Sequence, residues 1–311
     1  MRPLPIGSSD CICCNDKGIN VLSLFDGMSC GQLALDRLGI KVDVYLAAEI
    51  DKYAKQITKK NYPNTVHLGD VTKLRGMDLP KIDLLMGGSP CQGFSFAGKQ
   101  LNFDDPRSAL FFEFVRLLEE TKPKYFMLEN VFMKQEYQDV ISEYLGVSPI
   151  KIDSKDITAA RRRRLYWTNI PVDPLVKKDV KLSDVLDADA ITDKDKAYCL
   201  TLHQGTLRDY FKKSQSNIVY VPSKLGKYEV VDGKINMKFA RGKNPNELFT
   251  FNANVPNGRY DFRTLNLSEA CALHNVDVSY FEGASKKQVM DMLGNGWTVD
   301  VIKHILKNIN D

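Results

Sequence analysis

No apolar run in the chain approaches the roughly 18 residues that a membrane-spanning helix needs, and a membrane partner is not expected. The opening MRPLPIGSSD has no apolar stretch of the kind a secretory signal carries, so the expected compartment is intracellular. Seven cysteines, an odd number spread over 311 residues, do not make a disulfide framework, which agrees with a reducing environment. Three of them, Cys11, Cys13 and Cys14, cluster near the start without a second ligand pair nearby, so free thiols are expected there and no metal site. Repeats and low-complexity tracts are lacking. Charge of one sign is scarce too: 43 Lys+Arg against 39 Asp+Glu leave a net +4. That balance neither demands nor excludes a nucleic acid.

What is present is an ordinary globular composition, with 43% hydrophobic and 26% charged residues, enough for one large domain or two modest ones. The positive charge is unevenly placed. Between Leu200 and Phe262 ten Lys/Arg face five Asp/Glu, so the excess lies in one stretch, as expected of a phosphate-contacting surface or of a solvated lysine-rich face.

Residues 1–18 read as a tail. From Ile19 short apolar strands alternate with helices: strands at Val21–Phe25, Val44–Ala48, Ile82–Met86, Tyr125–Leu128 and Leu165–Thr168, and helices at Gly31–Leu38, Lys52 to about Asn61, Ala109–Glu120 and Gln135–Leu145. This rhythm predicts a doubly wound α/β sheet over residues 19–171. Residues 172–262 break it with short strands such as Ile218–Val221 and Tyr228–Val231. Helical spacing returns at Ser268–Leu273 and Val299–Ile309, so residues 263–311 are expected to complete the first domain.

Four places carry chemistry. Phe25-Asp26-Gly27-Met28-Ser29-Cys30-Gly31 is a strand-turn-helix whose glycines let backbone approach a ligand at a helix start. Glu49 ends the second strand 22 residues after Gly27, where a carboxylate can bind ribose hydroxyls, and Asp70 follows Gly69 where a third strand should end. An ordinary βα turn is the bland alternative. Next, Cys91 sits behind Pro90 and ahead of Gln92-Gly93-Phe94-Ser95, past a strand end, placed as a nucleophile and on no apolar face. Glu129 closes the following strand on the same sheet edge, where a carboxylate can serve as general acid. Last, Arg161 to Arg164 run into a strand, so Arg162 and Arg164 should share a face.

Pro90-Cys91-Gln92, Glu129-Asn130-Val131 and the arginine strand together resemble the DNA cytosine-C5 methyltransferase family. Four further stretches extend the resemblance: Phe25–Gly31, Leu110-Phe111-Phe112, Arg263-Thr264-Leu265 with Glu269, and Leu293–Val299. It covers about residues 19–171 and 263–309. Val21–Gly27, Leu110–Phe114 and Ala159-Ala160 resemble the vertebrate de novo DNA methyltransferases most, in a chain of bacterial or phage size. Many family members carry Gln where Ala160 stands, so the family's two arginines are aligned to Arg162 and Arg164.

The resemblance implies a Rossmann-like, S-adenosylmethionine-dependent enzyme that methylates C5 of a flipped cytosine in double-stranded DNA. By family analogy Cys91 attacks C6, Glu129 meets N3, Arg164 holds O2 and Arg162 supports the catalytic loop. It implies cofactor contacts from Phe25, Asp26, Gly27, Gly31, Glu49, Ile50, Asp70, Val71, Pro90, Leu110, Asn295 and Trp297, and no metal. Residues 172–262 fall where the family keeps its target recognition region. DNA contacts are expected from Gln92, Ser95, His203, Gln204, Arg208, Lys212, Lys213 and Arg241. The setting implied is a bacterial cytoplasm or a phage-infected host. A cognate restriction endonuclease is the candidate partner, and the expected state is a monomer or a weak homodimer. A tRNA cytosine methyltransferase, whose branch carries a Cys-Phe-Thr stretch not found here, and a catalytically inactive DNA-binding homologue are the alternatives.

Overall fold

The computed structural model describes residues 17–89, 109–200, 216–238 and 248–309. Seven strands form the main sheet: β1 (Ile19–Leu24), β2 (Val42–Ala48), β3 (Val66–His67), β4 (Leu84–Gly88), β5 (Tyr125–Val131), β6 (Ile150–Asp153) and β7 (Arg163–Thr168). Their order is β3-β2-β1-β4-β5-β7-β6. The first five pair in parallel, and β7 runs antiparallel between β5 and β6. The chain moves outward from β1 to β3, then returns to place β4 on the other side of β1. The crevice between β1 and β4, at the carboxyl ends of the strands, is therefore the topological switch point where open α/β sheets bind ligands.

Both faces of this sheet are covered, which is why its central strands read as continuous apolar runs. Alternate residues enter opposite cores. Val21, Leu84, Met86, Tyr125 and Met127 join one cluster. Leu22, Leu24, Leu85, Phe126 and Leu128 join the other. Helices α1 (Cys30–Arg37) and α2 (Lys52–Asn61) cover the first face with Ala34, Leu35, Ala54 and Ile57. Helices α3 (Ala109–Thr121) and α4 (Gln135–Leu145) cover the second with Phe111, Phe114, Val115, Leu117, Tyr137, Ile141 and Leu145.

The end of the chain returns to the first face. Helices α5 (Leu267–Ala272), α6 (Lys286–Asn295) and α7 (Val299–Leu306) add Cys271, Val289, Leu293, Val299, Ile302 and Ile305 to the core that already holds α1. These helices thus share one core with α1 and the main sheet. Among the described residues no helix is long and apolar enough to cross a membrane.

A second, antiparallel sheet holds β8 (Ile218–Pro222), β9 (Tyr228–Val231), β10 (Lys234–Lys238), β11 (Leu248–Asn252) and β12 (Gly258–Thr264), in the order β11-β10-β9-β12-β8. Its small core is Ile218, Tyr220, Val230, Ile235, Met237, Ala253 and Tyr260. Asp232 and Gly233, both at positive φ (49° and 68°), make the two-residue turn from β9 to β10 that a right-twisted hairpin favours. β12 runs two residues past the expected boundary at 262. Arg263 near its end forms a fork to both oxygens of the fully buried Glu269 on α5 (2.7 Å each) and reaches Asp189 at 2.8 Å. The sheet is anchored to the larger domain by this buried pair.

Candidate active site

The glycine turn after β1 is built from left-handed residues. Phe25, Gly27 and Ser29 stand at φ 56°, 58° and 60°, so Phe25 leaves the strand rather than ending it. A non-glycine in this region is strained and is kept by its surroundings. A Cβ at Gly27 would meet nothing within 4 Å, so glycine serves conformation here and the space above the turn is open. At Gly31 the reason differs: a Cβ would press on Met86 and lie 3.3 Å from the Trp297 ring, so this glycine lets α1 close on β4. Gly31 is a packing residue in the first turn of α1, and its place in the cofactor set is indirect.

Glu49 holds the turn from the side. Its carboxylate accepts from the Gly27 N–H and from the N–H groups of Ile50 and Asp51, each at 2.7 Å. Two carboxylate oxygens offer about four acceptor directions, so sites remain for ribose hydroxyls. Ile50 beside it is 74% exposed, an apolar surface at the rim of the crevice that a flat base can cover. Asp70 does not end the third strand, which stops at His67. Its carboxylate caps a short 3₁₀ turn through the Thr72 N–H (3.0 Å) and hydroxyl (2.8 Å), and these hydrogen bonds lower its pKa. Val71 is buried in the second core and Leu110 packs against that core.

Asp26 faces inward. It accepts from the Tyr45 hydroxyl at 2.8 Å and from the Ser29 hydroxyl, which is also reached by Thr58 at 3.1 Å. Burial raises its pKa to about 6 against the lowering effect of these donors. Its side chain therefore braces the turn from beneath, and a direct cofactor contact from its carboxylate is not what the geometry offers. Tyr45 and Thr58 carried no signal in the sequence beyond strand and helix membership, and Ser29 none beyond its place in the glycine turn.

Across the switch point, Glu129 is buried on β5 opposite Gly88 of β4. The Arg164 Nε donates to its Oε1 at 2.8 Å, and the Trp297 indole N–H donates to its Oε2 at 3.2 Å. A Cβ on Gly88 would come within 2.8 Å of the Trp297 Nε1 and 3.0 Å of that oxygen, so only glycine admits this approach. The sequence places Gly88 only at the start of the stretch that carries Cys91 and gives no sign of this packing role.

The four arginines divide as alternation predicted, although β7 begins at Arg163 and Arg162 precedes it. Arg164 meets Glu129. Arg162 is buried; its guanidinium donates to the carbonyls of Gly294 (3.2 Å) and Gly296 (2.7 Å) in the C-terminal turn and to the Cys199 Sγ at 3.2 Å. Arg161 and Arg163 are exposed and lie over the rings of Tyr198 and Phe132. Asn295, expected at the cofactor, is exposed at the end of α6. Asn130, part of the Glu129-Asn130-Val131 motif, carried no role of its own in the sequence. It is buried and donates to the Ser89 hydroxyl at 3.1 Å, tying β5 to the residue from which the Cys91 segment departs.

Pro90, Cys91, Gln92, Ser95, His203, Gln204, Arg208, Lys212, Lys213 and Arg241 lie outside the described residues. Cys91 stands three positions after the last residue of β4.

Comparison with known proteins agrees with this geometry. The family described as C-5 cytosine-specific DNA methylase matches residues 19–141. The type II methyltransferase M.NgoBV of Neisseria gonorrhoeae is 43% identical over 118 residues, 36% of this chain and 28% of that protein. The orphan methyltransferase M.SPRI of Bacillus phage SPR is 36% identical over 186 residues, 54% of this chain and 42% of that protein. The chain thus spans less than half the length of these relatives. Among solved structures, the methyltransferase EhMeth of Entamoeba histolytica superposes with a TM-score of 0.67 at 17% identity, covering 94% of this chain and 98% of that one. A DNMT2 variant of Spodoptera frugiperda gives 0.64 at 17% identity, covering 94% and 100%. The fold is that of these solved structures, and residues 19–141 are similar to the C-5 cytosine-specific DNA methylase family.

Proposed function

We propose that the chain methylates C5 of a flipped cytosine in a specific double-stranded DNA sequence, through a covalent Cys91 adduct at C6. The observation that carries this reading is the Arg164–Glu129–Trp297 arrangement at the end of β5, near the open glycine turn that follows β1. When bound, S-adenosylmethionine supplies a methyl group on a positively charged sulfur. Glu49 and the open turn at Gly27 fit its nucleoside part, with Phe25 and the exposed Ile50 as apolar walls.

C5 of cytosine is a poor nucleophile and is shielded in the duplex, so the base leaves the stack. The Cys91 thiolate adds to C6, which gives C5 enamine character. Glu129, fixed by two donors, meets the N3 edge where charge collects, and Arg164 presents a guanidinium that stays charged to the neighbouring carbonyl oxygen. After transfer a base removes the C5 proton and Cys91 departs. Residues 172–262 are assigned to sequence choice, on their position between two motif regions and their surplus of five positive charges from Leu200 to Phe262.

Bisulfite sequencing of DNA from a bacterial host expressing the chain tests this. The expected result is protection of cytosine in one recurring sequence, and its loss in Cys91→Ser, because a hydroxyl has far too little alkoxide at neutral pH to replace a thiolate. Unprotected DNA with protected tRNA in the same cells would move the substrate to tRNA. More than a trace of activity in Cys91→Ser would remove the nucleophile assignment.

A further inference from the structure

Trp297 is the last aromatic residue of the chain, and it stands 168 positions from the carboxylate it touches. Its indole is buried, with an exposure of 8%. A buried indole N–H needs an acceptor, and this one takes Glu129 Oε2 at 3.2 Å. The other carboxylate oxygen is taken by Arg164. Glu129 is therefore gripped from both ends, one grip from β7 and one from the C-terminal segment.

The ring is itself fixed on several sides. Its backbone carbonyl lies 3.4 Å from the ring nitrogen Nδ1 of His274, which is buried. The Val299 N–H, two residues on, donates to the carbonyl of His274 at 3.1 Å. Arg162 holds the carbonyls of Gly294 and Gly296 just before it. The indole also packs close to the backbone of Gly31 and of Gly88. Trp297 thus bridges the first turn of α1, beside the glycine turn, and the carboxylate on β5. A residue that only walled a cofactor would need its ring face; it would not need a nitrogen aimed at Glu129.

We infer that Trp297 is a positioning residue for Glu129: its indole N–H fixes the rotation of the carboxylate, so that the remaining acceptor directions face the substrate base. This deepens the proposed function and rests on it for the identity of the base. The contact itself does not depend on that reading.

Two measurements on the full chain separate the possibilities. In steady-state methylation, Trp297→Phe keeps the ring and removes the donor. It should lower kcat about tenfold and leave KM for S-adenosylmethionine and for DNA within about twofold. In a Glu129→Gln background the same change should cost less than twofold, because the two residues act as one unit. A raised KM for S-adenosylmethionine with unchanged kcat would show a cofactor wall only and would overturn the inference.

The second measurement needs no activity. The chain has two tryptophans, and Trp167 donates its indole N–H to the Ser142 hydroxyl at 2.9 Å, away from this site. In a nitrogen–proton correlation spectrum, Glu129→Gln should move the indole signal that Trp297→Phe deletes and leave the other in place. An unmoved signal overturns the inference whether or not the chain methylates DNA. A moved signal in a chain that methylates nothing supports the positioning contact and counts against the methyl-transfer reading instead.

Discussion

The two sheets of this protein treat polar groups in opposite ways. At the carboxyl edge of the seven-stranded sheet, carboxylates are drawn inward and tied: Asp26 to Tyr45 and Ser29, Glu49 to three backbone N–H groups, and Glu129 to Arg164 and Trp297. In the five-stranded sheet the charges of β10 stand outward. Its burial alternates strictly from Lys234 to Lys238, and Leu225, Val231 and Leu248 are 90%, 53% and 56% exposed. A sheet covered on both faces leaves only its strand ends for polar chemistry, whereas an antiparallel sheet with one buried face can leave the other to solvent. One region is built to fix a few groups in place, and the other to present a surface.

The sharpest test of this division lies within four residues. Arg164→Ala removes a guanidinium from Glu129 and should slow single-turnover methylation by a hundredfold or more at saturating DNA, with duplex binding little changed. Arg163→Ala removes only an exposed stack on Phe132 and should change the rate less than twofold. A crippled Arg163→Ala would shift the functional arginines by one position, to Arg161 and Arg163.

The buried Asp26 predicts a stability effect with a definite sign. Its pKa in the folded chain is about 6, above its ordinary 3.8, so the folded state holds a proton that the unfolded state has released. Its contribution is present in full below pH 4 and is lost as pH rises through 6. At about 1.4 kcal/mol per pKa unit the loss is roughly 3 kcal/mol. Denaturant melts of the wild type and of Asp26→Asn should diverge across this window, with the variant gaining relative stability as pH rises. His274 acts in the opposite sense. Burial, and then Arg162, lower its pKa to about 3, so its contribution is present above pH 6.5 and is lost as pH falls toward 3. Parallel curves for wild type and Asp26→Asn would show that Asp26 does not titrate in this window.

Glu49→Ala should weaken S-adenosylmethionine binding by roughly 1.5–3 kcal/mol, read by calorimetry, since the carboxylate both caps the Gly27 turn and faces the crevice. Unchanged affinity would reduce Glu49 to a turn cap. The smallest effect is expected in the second region. Neutralising Lys212 and Lys213 should lower the slope of log affinity against log salt by about 2 and weaken binding evenly across sequences. A changed methylated sequence would make them base readers instead.

Legibility followed the same division. β1, β2, β4 and β5 were readable because strands buried on both faces are apolar at nearly every position. β3, two residues long, and β6, four residues with one buried side chain, carry too little pattern to be seen. In the second sheet β8 and β9 were seen and β10 to β12 were not. Helix α6 was missed although Ser285 and Gln288 form a capping box at its start, a usable sign three residues apart. At the site, Glu129, Arg162, Arg164 and Trp297 were named from motif. The roles of Gly88, Tyr45, Asn130 and His274 were not, because each acts through a neighbour distant in sequence.

By itself the sequence determined the alternation of strands and helices, the glycine turn after β1, the position of Cys91 directly past β4, and which two of four arginines share a side. These follow from local periodicity and from the few residues that tolerate a left-handed backbone. Only the tertiary structure decided that Asp26 turns inward, that Arg162 holds the C-terminal turn, and that an indole from residue 297 grips a carboxylate at residue 129. Such bonds depend on which elements the burial of apolar surface brings together, and no local pattern records that.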